Sequence, residues 1–238
     1  MSPTTAAAAD HALSIFLEGG CAAGGAVLGV VLDAVAARIP GAKGNRPAAP
    51  RALEMAAAAV VTAALLGGAA ARFGPVPELT AYCVLFSGLV AVSVADIRVG
   101  LVPRKLLYPT LALTTVAFVA AAAVSGEWRP LLDAAIGGAA GFLVFFAIWW
   151  ISPRSMGFGD VRLAGLIGAG LGWLGFRQLY LGFLAAFVAG VAIGLVKMAV
   201  QGTGRKTALP FGPALAVGAV VGVIWGGYLV NVWMHAAG

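Results

Sequence analysis

Residues 131–174 read LLDAAIGGAAGFLVFFAIWWISPRSMGFGDVRLAGLIGAGLGWL: a long apolar run, a short polar break, and a second run rich in glycine. The first run, Leu131 to Ile151, has its one charge, Asp133, near its start, and as a helix it is long enough to cross a hydrocarbon core of about 30 Å. The same alternation continues in both directions through a chain of 238 residues that is 61% hydrophobic and 10% charged. A soluble domain of this composition would lack the polar side chains needed to cover its core. The expected fold class is therefore all-α, a polytopic integral membrane helix bundle forming a single domain over residues 1–238.

Cutting the chain at charges and turn formers gives eight candidate spans. They are Leu13 to Ala37, Ala52 to Ala71, Leu79 to Ile97, Leu106 to Val124, Leu131 to Ile151, Val161 to Leu174, Gln178 to Val200 and Leu209 to Met234. The first is read as a retained span and not as a secretory leader, because no basic region precedes it and it carries Glu18 and Asp33. The sixth is short and glycine-rich, which predicts a helix that is tightly packed, tilted, or dipping partly into the protein. Glycine and alanine recur in every span, as expected where helices must approach closely without hydrophobic drive between them.

The formal net charge of +6 does not indicate a nucleic-acid partner, because the basic residues fall in short gaps between spans and form no single patch. Eight spans place the gaps after spans one, three, five and seven on one side. Twelve of the fifteen Lys and Arg residues lie in or beside those gaps, and only Arg72, Arg129 and Arg177 lie on the other side. The positive-inside rule then puts the basic side in the cytoplasm and both termini outside. The gap from Arg38 to Arg51, RIPGAKGNRPAAPR, reads as a short basic loop held near anionic headgroups. Cys21 and Cys83 lie singly in separate spans, without the spacing of a metal site or a disulfide framework, and are read as buried free thiols.

Carboxylates are the informative residues in such a chain, since a charge in hydrocarbon needs water, a partner or a cavity. Asp33, Glu54, Asp96 and Asp160 all map to the cytoplasmic ends of spans. Two carboxylates can hydrolyse a peptide bond without a metal: one, ionised, takes a proton from water, and the other, protonated, polarises the carbonyl. Asp160 closes Gly157-Phe158-Gly159-Asp160, where the two glycines are expected to permit positive φ and close approach to a substrate strand. Asp96 closes the third span and is followed by Pro103, which is expected to end or redirect the chain. Spacing alone equally allows Asp96 and Asp160 to be interfacial ion-pair partners of Arg98 and Arg162.

Around these residues the chain resembles the type IV prepilin leader peptidases, membrane aspartic enzymes of the GxGD class. The run from Gly157 through Asp160-Val161-Arg162-Leu163 to Leu171-Gly172-Trp173 is similar to the family's second catalytic segment, and Asp96 with Leu101-Val102-Pro103 to its first. Leu28 to Pro40 resembles the family's first-span signature, with Asp33 where asparagine is usual and Val30 in place of serine. Leu209-Pro210-Phe211-Gly212-Pro213-Ala214-Leu215 resembles its P-F-G-P segment.

The resemblance implies Asp96 and Asp160 as the catalytic pair, with Gly157 and Gly159 in a supporting loop. Asp33, Glu54, Pro210, Phe211, Gly212 and Pro213 are candidate substrate-positioning residues, with Pro210 to Pro213 read as a rigid turn or a simple helix start. The implied activity is removal of the short basic leader from prepilin or pseudopilin substrates at the cytoplasmic face of a bacterial cytoplasmic membrane. Partners are then those membrane-anchored helices and the lipid bilayer, with no nucleic acid. Many family members carry a two-CxxC insert where this chain has only Arg38 to Arg51, so no metal is expected. S-adenosylmethionine would serve only if methyl transfer were retained, and no cofactor is expected for proteolysis.

A proton-coupled transporter is the alternative from another class, because it too uses intramembrane carboxylates and broken helices, though usually near the midplane. The presenilin branch of aspartic enzymes also has G-x-G-D, but its first aspartate follows a tyrosine, whereas Ala95 precedes Asp96 here. The charge asymmetry makes a testable prediction. A reporter active only outside the cytoplasm should be active when fused after Gly238, and activity of a cytoplasm-only reporter there would overturn the topology.

Overall fold

The computed structural model describes residues 3–38, 52–100, 102–153, 156–201 and 211–236. Among them the regular structure is entirely helical: α1 (Pro3–Ala36), α2 (Ala52–Phe73), α3 (Glu78–Val99), α4 (Arg104–Ser125), α5 (Arg129–Ile151), α6 (Phe158–Leu174), α7 (Phe176–Gln201), α8 (Phe211–Val220) and α9 (Gly226–Ala236). A π-helical turn, Val221–Trp225, joins α8 to α9, so the two continue as one span. Seven helical runs are long and apolar enough to cross a membrane, and α6, with 17 residues, is the short eighth. α1 starts at Pro3, well before the expected Leu13, although its apolar part runs only from Ala12 to Ala36. The basic loop expected after Arg38 lies at residues 39–51, outside the described residues.

Burial is unevenly shared. In α3, 67% of the apolar window is buried, against 11–39% in the other six candidate spans. α6 buries a nearly continuous series from Asp160 to Gly172, so the short sixth span is a tightly packed inner helix. The outer helices turn Val60, Leu113, Val116, Leu143, Val188 and Leu195 outward, as lipid requires. α3 and α6 meet through side chains: the Tyr82 hydroxyl donates to Gly170 O at 2.8 Å, which satisfies the one polar group on a buried ring. Tyr82 also stacks on Phe73, and Phe118 stacks on Trp173.

Helix association rests on the small residues. A Cβ placed on Gly137 of α5 would lie 2.5 Å from Gly168 O of α6, and one on Gly172 would lie 2.5 Å from Asp133 O. The two backbones therefore touch, and dispersion over that contact replaces the hydrophobic drive that lipid does not supply. α1 and α2 meet in the same way where Gly29 faces Ala58. The cysteines are not isolated as the sequence implied, nor fully buried: Cys21 of α1 and Cys83 of α3 come near each other as free, half-buried thiols. Their separation along the chain concealed a pairing that only the packing of α1 on α3 creates.

These contacts predict a contrast between two glycines. Gly137→Leu should destabilise the detergent-solubilised protein by about 1–3 kcal/mol or more, because the obstruction is backbone and cannot rotate away. Gly20→Leu, at an exposed glycine with no atom within 4 Å of its would-be Cβ, should be neutral or slightly stabilising. Thermal unfolding of the two variants checks this, and equal losses would contradict the packing described.

Candidate active site

Helix ends build the site. α3 finishes at Val99, and Gly100 follows it in the left-handed region at φ 67°, its N–H donating to Asp96 O at 2.8 Å. Only glycine takes this conformation without strain, so the chain leaves α3 just after Asp96 and reaches Pro103 extended, where α4 begins. The redirection expected at Pro103 thus starts three residues earlier. Gly157 caps α6 in extended conformation, and its N–H donates to Asp160 Oδ2 at 3.2 Å. α8 starts at Phe211, and the Gly212 N–H donates to Asp96 Oδ2 at 3.2 Å.

Asp96 and Asp160 are each only 5% exposed, and they interact electrostatically with each other. Asp160 receives the N–H of the residue that caps α6 and Asp96 one from the first turn of α8, at helix starts where unpaired amides and the helix dipole favour negative charge. Asp160 Oδ1 is buried and has no hydrogen-bond partner among the described residues. The arrangement presents two carboxylates from different helices, each fixed by backbone, with an acceptor oxygen left open.

The glycines act differently from the expectation. Neither Gly157 nor Gly159 has positive φ. Gly159 is required because a Cβ there would lie 2.6 Å from Val102 Cβ, so α6 begins in contact with the link that follows Asp96. A Cβ on Gly157 would meet only Asp160 Oδ2 at 3.6 Å and Gly159 N at 3.9 Å, which leaves room beside that carboxylate. The position of a glycine in a motif does not reveal which neighbour demands it.

Asp33 and Glu54 belong to an adjacent cluster. Arg98, two residues beyond Asp96, places Nη2 2.6 Å from Asp33 Oδ1 and 2.9 Å from Glu54 Oε2, and its Nη1 donates to Asp33 O at 3.2 Å. Asp33 is 1% exposed, and the Glu54 side chain is 48% exposed. The cluster joins α1, α2 and the end of α3 that carries Asp96. Arg162 lies over the rings of Phe158, at 4.5 Å, and Tyr108, at 5.7 Å. The two arginines that spacing offered to Asp96 and Asp160 thus have these other partners. Sequence reading missed Arg98 as the centre of the cluster, since nothing along the chain signals which carboxylate it faces.

Phe211, Gly212 and Pro213 form the first turn of α8, while Pro210 lies outside the described residues. The expected rigid turn is, in its described part, a helix start that also holds Asp96. A groove of about 610 Å³ runs beside the site between α2, α3, α8 and the π turn, lined by Asp33, Glu54 and Arg98 at the end near Asp96. Among the described residues no three His, Cys, Asp or Glu side chains gather as a metal-binding group.

Residues 83–195, which include both aspartates, match the sequence model of the type IV leader peptidase family. A Pseudomonas putida protein named prepilin leader peptidase/N-methyltransferase is 33% identical over 160 residues, covering 65% of this chain and 53% of the relative. A protein of that name from Pseudomonas aeruginosa is 29% identical over 184 residues, 75% of this chain and 61% of the relative. One from Bacillus subtilis is 30% identical over 181 residues, 76% of this chain and 70% of the relative. The chain thus spans little more than half the length of the two Pseudomonas relatives. No solved structure matches it.

The Gly212 contact predicts how the site fails. A Cβ at 212 would lie 2.8 Å from Asp96 Oδ2 and 3.3 Å from its Cγ, so Gly212→Val should displace the carboxylate and lower any peptide cleavage that depends on Asp96 by about 100-fold. Gly157→Ala, where the added atom meets only ordinary contacts, should keep cleavage within about threefold of the parent. Unchanged folding and unchanged cleavage in Gly212→Val would reduce Pro213 and its neighbours to a helix start alone.

Proposed function

The chain belongs to the type IV leader peptidase family, and from that premise we propose that it is a membrane aspartic endopeptidase removing the basic leader from prepilin-like or pseudopilin-like substrates. The observation that carries the reading is the Asp96–Asp160 pair, buried at one end of the bundle, electrostatically coupled and fixed by the Gly212 and Gly157 amides. Two carboxylates in such a site are most stable sharing one proton. The ionised member takes a proton from water as the water attacks the scissile carbonyl, and the protonated member donates a hydrogen bond to the carbonyl oxygen and then a proton to the leaving amine. Gly157 leaves space for the substrate backbone beside Asp160.

The proposed setting is the bacterial cytoplasmic membrane, with the site facing the cytoplasm and both termini outside. The distribution of Lys and Arg supports that orientation. A proton-coupled transporter gains no support, because the pair lies at helix ends and the relatives are named as peptidases.

The relatives' names also include N-methyltransferase, which implies S-adenosylmethionine. The groove beside the site does not fit that group. Apart from the Trp225 indole, its polar lining among the described residues is Asp33, Glu54, Ser93 and Arg98, without the spread of donors that a purine, a ribose and an amino-acid moiety require. We assign the chain proteolysis and derive no methyl-transfer step.

The test replaces carboxylates one at a time. Asp96→Asn and Asp160→Asn should each lower cleavage of a prepilin by at least about 10³-fold with the protein still folded, because an amide can neither take the proton nor return it. Asp33→Asn should keep turnover within about threefold, since the amide oxygen can still accept from Arg98, and Glu54→Gln should fall between. A chelator should leave the parent's activity unchanged. Retained cleavage in Asp96→Asn, or equal inactivity in Asp33→Asn and Asp160→Asn, would overturn the assignment of the pair.

A further inference from the structure

Arg162 is placed unlike the other arginine that follows an aspartate of the pair. Arg98 is neutralised by Asp33 and Glu54, whereas Arg162 forms no ion pair among the described residues. Its guanidinium carbon lies 4.5 Å from the centre of the Phe158 ring, one turn earlier on α6, and 5.7 Å from that of Tyr108 on α4. Ring faces attract the cation and hold it in place, but they do not satisfy the N–H groups at its edge as oxygen acceptors do. The side chain is half-buried, so these donors are not wholly given over to water either.

Two more cations share this corner. Arg104 and Lys105, both exposed, stand four and three residues before Tyr108 and therefore on its side of α4. Neither is in an ion pair among the described residues, and the first turn of α4 contains no acid. Asp160, the acid nearest to Arg162 along the chain, is buried and faces Asp96. Three positive side chains thus gather around Tyr108 with no counter-charge beside them among the described residues.

The corner lies at headgroup level. Trp149 and Trp150 sit in the last turn of α5 at the same end of the bundle, and Trp150 and Tyr108 are exposed, as aromatic side chains are where a membrane meets water. Beyond Tyr108 the same side of α4 continues through exposed Leu111, Thr115 and Val119, a strip of about 16 Å at the usual helical rise. That is close to half the thickness of a hydrocarbon core of about 30 Å. A soluble anion would use the charges and leave the strip bare, whereas a phospholipid uses both.

We propose that this corner binds one anionic phospholipid, with its phosphate against the Arg162 guanidinium, Arg104 and Lys105 beside the headgroup, and an acyl chain along α4. A guanidinium presents paired N–H groups that match two phosphate oxygens, and one already held by two rings loses little freedom on binding. A zwitterionic lipid offers the same phosphate but brings a further cation to a positive corner, so the anionic headgroup is preferred. The bound lipid ties the first turns of α6, which carry Asp160, to the start of α4, where Val102 already meets Gly159. The site needs only the bundle and the membrane, and it stands apart from the peptide chemistry proposed above.

The test titrates the purified full chain in non-ionic detergent with dioleoylphosphatidylglycerol or dioleoylphosphatidylcholine and counts bound lipid by native mass spectrometry. The parent should bind its first phosphatidylglycerol about tenfold more tightly than its first phosphatidylcholine. Arg162→Gln should weaken phosphatidylglycerol binding by about fivefold, and Arg104→Gln with Lys105→Gln by about tenfold, with phosphatidylcholine unaffected. Arg129→Gln, which removes an equally exposed cation at the other end of the bundle, should change neither affinity by more than about twofold. The double variant alters only exposed side chains, and it decides alone if Arg162→Gln fails to fold. Equal affinity of the parent for the two lipids, an unchanged preference in the double variant, or an equal loss in Arg129→Gln would each overturn the proposal. Inorganic phosphate or glycerol phosphate in large excess should not displace the lipid, and displacement by either would make this a site for soluble phosphates and overturn it as well.

Discussion

Lipid gives these helices almost no hydrophobic reason to associate, and the rest of the structure follows from how the chain meets that constraint. Glycine brings the backbones of α5 and α6 into contact at Gly137, Gly168 and Gly172, and the same device joins α1 to α2. α6 can thereby be short and almost wholly enclosed, with Asp160 in its first turn. α3, the most buried of the candidate spans, carries Asp96 in its last turn. The aspartates belong to the two best-enclosed helices, so their positions are set by the packing of the whole bundle and not by mobile loops.

The same solvent dictates where charge can sit. Four carboxylates gather at one end, but they form two groups with different chemistry. Asp33 and Glu54 hold Arg98, which neutralises part of their charge and locks the end of α3 to α1 and α2. Asp96 and Asp160 each accept a backbone N–H, from the starts of α8 and α6 respectively, and such donors stabilise a carboxylate. Two neighbouring carboxylates favour holding one proton between them, the state that the proposed acid–base hydrolysis would use.

Membership in the leader peptidase family and the geometry of the site are separate observations that meet at the same residues. The matched region, 83–195, contains both aspartates but neither Asp33, Glu54 nor the first turn of α8. Those lie on the elements that surround the pair and form much of the groove. The two aspartates thus lie within the matched region, while the groove is lined from both inside and outside it, by Arg98 of α3 as well as by Asp33, Glu54 and α8.

The sequence by itself determined an all-helical bundle, most of the helix boundaries and the gathering of carboxylates at helix ends, because hydropathy and charge act locally and lipid enforces them strictly. It also singled out Asp96 and Asp160 through the segments around them. It did not determine which partner each polar group would meet. Arg98 binds Asp33 65 residues away, and the Gly212 N–H binds Asp96 across 116 residues. Nor did it reveal that Gly159 is needed against Val102, that Cys21 meets Cys83, or that a π turn joins α8 to α9. Each depends on how far one helix is rotated and shifted against another. That is fixed by close packing summed over the whole interface, and no stretch of sequence carries it alone.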